Sequence, residues 1–306
     1  MSAATARDAG LAGLAADYRR SLKAPELEEA LDLILFRPLG FVVAKVLSRT
    51  PVTADQVSVG SLVAGLSAGA LLWMSPTHPT IVIAVAAYFV CAVLDCADGQ
   101  LARLRRSASP VGYIVDGAID YAATLAVFAG ITHAVAANHP GKTWPWLLGV
   151  AALAMMGWHC AVIDRLRHAW SAHALGRRDD PAAELAQFRA QADAWRRDGG
   201  HLGSRALVAL YLFYRAGWSR LIPAASAAAG RSVDAEWPVR NRPVLRVAML
   251  AGPSFHMTSI MVAALSGRLQ LYLAAAVLFG GAWTSLLVVL QRRAALPRPA
   301  AQRGRS

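Results

Sequence analysis

Charge is scarce in this chain, and cysteine scarcer still. Of its 306 residues only 16% are Asp, Glu, Lys or Arg, and three are Cys. Charge this sparse over such a length points away from a soluble domain and toward several membrane spans in one integral unit. Cys91, Cys96 and Cys160 are odd in number and fall within or at apolar segments, so no disulfide framework is indicated. Residues 1–30 are mixed and charged and lack an apolar core of the length a cleavable signal peptide needs. No internal repeat is evident, and the last two apolar segments contain no acidic residue.

What the chain has is apolar length. It is 56% hydrophobic with a mean hydropathy of +0.39, and six segments are candidate spans: 58–75, 79–97, 112–136, 144–164, 244–266 and 269–290. Several are rich in glycine and alanine, which favour close helix packing in lipid. Basic residues alternate between loops. Arg37, Lys45 and Arg49 precede the first span, Arg103, Arg105 and Arg106 follow the second, and Arg292, Arg293 and Arg298 follow the last. The intervening loops hold little more than Lys142 and Arg268. The positive-inside rule therefore places both termini on the cytoplasmic side. The net charge of +12, divided among loops beside spans, serves topology and attraction to anionic membrane lipid, and no nucleic-acid partner is expected.

Four aspartates break the apolar pattern. Asp95 and Asp98 end the second segment, and Asp116 and Asp120 open the third. Spacings of three and four put each pair on one helix face. An ionisable residue in a span is a functional-site candidate by default. Two helices joined by the short basic turn form a hairpin whose carboxylate pairs meet near one membrane surface. Such a cluster is relieved by hard divalent cations with oxygen ligands, and two Mg²⁺ ions can clamp both oxygens of a phosphoryl displacement.

The full spacing runs Asp95-x2-Asp98-Gly99-x2-Ala102-Arg103-x8-Gly112-x3-Asp116-x3-Asp120, eight fixed positions over 26 residues. It resembles, position for position, the signature of the CDP-alcohol phosphotransferase family. The stretch Thr53-Ala54-Asp55-Gln56-Val57-Ser58 resembles the family's "TPNxVT" run but departs from it at Ala54 and Asp55, and Arg37-Pro38 resembles the approach to the first span. The similarity covers residues 30 to 165. It implies an all-α integral membrane enzyme that cleaves the pyrophosphate of a CDP-linked alcohol, joins the phosphoalcohol to an acceptor hydroxyl and releases CMP. It further implies that Asp95, Asp98 and Asp116 hold two Mg²⁺ or Mn²⁺ ions and the nucleotide diphosphate. Asp120, also beside the metals, is the implied general base. Gly99, Ala102 and Gly112 keep the surface low for the nucleotide, Arg103 contacts phosphate, Ser58 lines the same site, and the assembly is a homodimer. CDP-diacylglycerol is the expected donor, in phospholipid biosynthesis. The alternative is CDP-choline or CDP-ethanolamine with diacylglycerol. The alternative of another class is an ion- or proton-coupled transporter, against which stands the clustering of the acids at one surface.

The expected organisation is an N-terminal cytoplasmic and interfacial part (1–57), a six-helix membrane domain (58–291) and a basic tail (292–306). Glu26 to Leu47 reads as an interfacial helix. The arginine-rich insertion 165–243 carries two amphipathic patterns, Leu185/Phe188/Ala192/Trp195 and Leu207/Tyr211/Tyr214/Trp218/Leu221, which read as helices lying in the interface. A seventh span over 206–229 is the competing reading. It would bury Arg215 and Arg220 and carry the basic tail outside. His159 and His256 read as polar residues of helix packing. A tag fused at the C-terminus should be reached by a membrane-impermeant label only after the cell is opened; labelling of intact cells would overturn the topology.

Overall fold

The computed structural model describes residues 3–22, 25–74, 77–107, 110–175, 186, 190, 193–197 and 236–295. Among these there are helices and no strand. Six segments are long and apolar enough to cross a bilayer: Ala54–Met74, His78–Arg105, Gly117–Ala137, Trp144–Ala174, Trp237–Leu265 and Leu269–Arg293. The six spans expected from the sequence are thus all present, and the chain is an all-α, multi-pass membrane protein.

Helix α1 (Ala3–Ser21) is followed by a π-helical turn (Asp32–Phe36) that runs into α2 (Arg37–Leu47). Pro38 has no N–H to donate to the preceding turn, and the helical ladder widens just upstream of it. The segment expected as a helix over Glu26–Leu47 is helical from residue 30 through the π-turn to Leu47, after a 3-10 turn at Pro25–Leu27. Helix α3 (Ala54–Met74) starts at a reciprocal cap. The Thr53 hydroxyl accepts from the Gln56 N–H at 3.2 Å, and the Gln56 side-chain oxygen accepts from the Thr53 N–H at 3.0 Å. Asp55, the departure from the family run, sits exposed in this first turn, where a negative charge suits the helix dipole.

Helices α4 (His78–Arg105) and α5 (Pro110–Ala137) both pack mainly on α3. The expected hairpin is thus splayed, with α3 wedged against both arms. Small residues allow the approach: a Cβ built on Gly69 would stand 2.4 Å from the Ala126 carbonyl oxygen. Helix α6 (Trp144–Leu175) continues well past the span end expected at 164 and carries Arg165 and Arg167 with it, since nothing there breaks the helix. The two amphipathic patterns expected after it, and the competing seventh span, fall almost wholly outside the described residues.

The fifth span is two helices, α7 (Trp237–Ala248) and α8 (Pro253–Leu265), and α9 (Leu269–Ala295) follows. A helix broken at membrane depth frees backbone groups that must find partners. His159 Nε2 lies 2.5 Å from the Ala251 carbonyl, to which it can only donate, and its Nδ1 lies 2.7 Å from the Thr284 hydroxyl oxygen. The Glu29 carboxylate accepts the Ser254 N–H at 3.0 Å, and the Ser254 hydroxyl donates to Asp32 at 2.5 Å. Arg167 of α6 closes the group on Glu29 at 3.1 Å. His159 and His256 are helix-packing residues, as expected; the His256 ring lies 5.5 Å from that of His159 and 3.2 Å from the Tyr272 hydroxyl.

Glu29 is almost fully buried, and desolvation, reinforced by the neighbouring Asp32, pushes its carboxyl up to about 7. An acid bound more tightly in the fold than in the unfolded chain stabilises most below its ordinary value of 4.5. That contribution is lost as pH rises through 7, by about 3 kcal/mol in all. Glu29→Gln should therefore flatten the fall in melting temperature between pH 5 and pH 8; an unchanged slope would assign the fall elsewhere. Gly252→Ala should destabilise at every pH, because its Cβ would meet the Glu29 carboxylate at 2.2 Å.

Candidate active site

The aspartates occupy the same end of α4 and α5, beside the capped start of α3. Asp98 is buried, and its Oδ2 accepts from the Ser58 hydroxyl at 2.5 Å. Ser58 reaches it because the cap at Thr53 fixes the first turn of α3, and because Arg105 anchors the preceding loop. The Arg105 guanidinium donates to the carbonyls of Val52, Leu47 and Thr50 at 2.5–2.6 Å. Sequence alone read Arg105 as a topology charge. Its separate task could not be seen there, because it depends on which carbonyls the fold presents.

Asp95 is half-buried one turn before Asp98, and Asp120 is exposed on α5, one turn after Asp116. Both carboxylates lie within electrostatic reach of Cys91 and Tyr88 on α4. Gly112 and Asp116 lie on the opening turns of α5, with the Asp116 side chain outside what the structure describes. Gly99 and Ala102 are half-buried on α4. The Arg103 guanidinium runs alongside Gly99, where a Cβ would stand 3.4 Å from it, and its Nε donates to the Ser21 carbonyl of α1 at 2.5 Å. Ser58 and Asp98 are thus in contact, with Asp95 one turn away on α4, and Arg103 sits on the α1 side of the same helix.

All the acidic donors here are hard carboxylate oxygens, the kind Mg²⁺ and Mn²⁺ prefer. Among the described residues no three acidic, His or Cys side chains stand close enough to hold an ion by themselves. A second set of buried acids was not foreseen: Glu28, Glu29 and Asp32, with Arg37 donating to Glu28 at 3.1 Å. The sequence offered one signal, acidic residues at helical spacing in an interfacial stretch, but such a stretch is ordinarily solvated. These acids cap α8 and tie down Arg37 rather than join the aspartates. Cys91, Cys96 and Cys160 are free thiols.

Removing the Ser58 hydroxyl leaves the buried Asp98 carboxylate one donor short. Ser58→Ala should cost about 1–3 kcal/mol of stability, read as a lower melting temperature, while Ser58→Thr should recover most of it. Equal melting of the alanine variant and the native protein would show that the contact carries no weight.

Comparison with curated proteins found none that matches. The model of the family described as CDP-alcohol phosphatidyltransferase matches residues 51–214, just over half the chain, and that stretch contains the capped start of α3 and all four aspartates. This chain therefore belongs to the CDP-alcohol phosphatidyltransferase family, transferases that pass a phosphoalcohol from a CDP-alcohol to an acceptor alcohol.

Proposed function

We propose that the chain transfers a phosphatidyl group from CDP-diacylglycerol to the hydroxyl of a small polar alcohol, with release of CMP, on the cytoplasmic side of the membrane. The observation that carries this reading is the hydrogen bond by which Ser58 of α3 fixes the buried Asp98, in a stretch whose aspartates the matching family model contains. The cytoplasmic orientation rests on the basic residues around those ends, above all the run Arg103, Arg105 and Arg106.

Asp95, Asp98 and Asp116 would hold two divalent cations, Mg²⁺ or Mn²⁺, with Asp120 beside them. Bound there, such ions neutralise the diphosphate and polarise the phosphorus under attack. Ser58 orients Asp98 so that a fixed carboxylate oxygen faces the site. Gly99, Ala102 and Gly112 leave room for the nucleotide against the helices. Asp120, exposed to an incoming alcohol, takes the proton of the acceptor hydroxyl. The acceptor oxygen bonds to the phosphorus that carries the diacylglycerol, the P–O–P bond breaks, and the bridging oxygen leaves on CMP with its electron pair. Homodimers are common in the family, and the same assembly is proposed here by analogy alone.

Purified protein with Mg²⁺ and CDP-diacylglycerol should release CMP only when the right acceptor is present, in a panel of serine, inositol, inositol phosphate and glycerol phosphate. CDP-choline with diacylglycerol serves as the contrasting donor, and acceptor-dependent CMP from that pair alone would replace this reading. Asp120→Asn should slow turnover by about a hundred- to ten-thousandfold with nucleotide binding retained. Chelation of divalent cations should abolish the reaction.

A further inference from the structure

At the same end of the molecule, α1, α2 and α4 border a half-open cavity of about 320 Å³ lined by Asp17, Arg20, Lys45, Arg103, Arg105 and Arg106. We infer that this cavity is a second, non-catalytic binding site for a phosphate group. Five cationic side chains face it against one carboxylate. Asp17 is bonded to both Arg20 and Lys45, which hold its carboxyl below the ordinary value, Lys45 most strongly. The Arg105 guanidinium is used on backbone carbonyls. Positive charge therefore remains in excess.

One irregularity stands at this cavity. Arg106 ends α4 in the left-handed conformation, φ 53° and ψ 36°, with the Ser107 N–H bonded to the Ala102 carbonyl at 2.9 Å. That is the position where glycine usually closes a helix, and an arginine there is strained. The strain sets one more cation on the cavity wall. A phosphate, with several acceptor oxygens and up to two charges, suits a wall of guanidinium and ammonium donors better than any neutral group.

The cavity lies off the aspartate side of α4. Asp98 faces α3 through Ser58, whereas Gln100 and Arg103 face α1 through Ser21. The lipid-facing surface of α2 supplies Val42 and Val46, both largely exposed, on either side of Lys45 in sequence. With those valines among acyl chains, Lys45 would stand at headgroup depth. The shared chemistry is a phosphate, carried by an anionic lipid headgroup or by a soluble phosphate. The inference does not rest on the proposed reaction.

Thermal unfolding of the full chain, with divalent cations chelated to silence the aspartate site, tests it. Inorganic phosphate is compared with chloride at equal ionic strength, in uncharged detergent and in nanodiscs of phosphatidylglycerol or phosphatidylcholine. Phosphate or phosphatidylglycerol should raise the melting temperature. Arg106→Gly relieves the backbone strain, so it should melt no lower than the native protein in chloride, yet need about tenfold more phosphate for half the effect. Arg20→Gln with Lys45→Gln should lose the effect as well, and Arg106→Gly carries the test should that pair fail to fold. Phosphate that acts in phosphatidylcholine but adds nothing in phosphatidylglycerol identifies a lipid headgroup as the occupant. Phosphate that acts equally in both identifies a soluble phosphate. No stabilisation of the native protein by either probe, or the same stabilisation in Arg106→Gly, overturns the inference.

Discussion

Where α3 crosses α5, a side chain at Gly69 would collide with the Ala126 backbone at 2.4 Å, and one at Gly130 would meet the Gly69 carbonyl at the same distance. Lipid offers no hydrophobic gain for bringing two apolar helices together, so van der Waals contact at small residues must do it. This close seam lets α3 serve as the common support of α4 and α5. Through it, Ser58 at one end of α3 meets Asp98 of α4, while α5 packs on the same helix. Without that approach the four aspartates would be two unrelated pairs on two spans.

The opposite flank of α4 solves a different problem, the accommodation of charge and broken backbone near the bilayer. The interruption between α7 and α8 frees the Ala251 carbonyl and the Ser254 N–H, and His159 and Glu29 take them. Glu29 in turn is held by Arg167, and Arg37 by Glu28. Buried ion pairs of this kind stabilise little by themselves, but removing one partner leaves an uncompensated charge. The interfacial segment before α2 is thereby bound to α6 and α8, and the fold closes around the helix that carries Asp95 and Asp98.

Basic residues that look alike in the sequence have separate tasks in space. Arg105 fastens the loop before α3 through three carbonyls, Arg103 reaches back to α1, and Arg106 ends α4 in a strained turn. All three also add to the positive charge of that loop. Topology uses the sum of their charges, while structure uses their individual positions.

The amino-acid sequence by itself determined the number of spans, the placement of four acids on two helix faces and the family. Each of these follows from local rules: apolar length, the periods of three and four, and fixed spacings within 26 residues. It could not reveal that α3 stands between the two arms of the hairpin, that Glu28, Glu29 and Asp32 are buried, or that the fifth span breaks at Gly252 and is capped from residue 29. Those depend on contacts between positions as far apart as 29 and 254, or 159 and 284. A carboxylate in an interfacial stretch reads as solvated until the fold supplies the N–H group and the arginine that bury it. Long-range pairing of that kind was decided by the tertiary structure alone, because a polar group at membrane depth takes whichever partner the packing of other helices brings within hydrogen-bond reach.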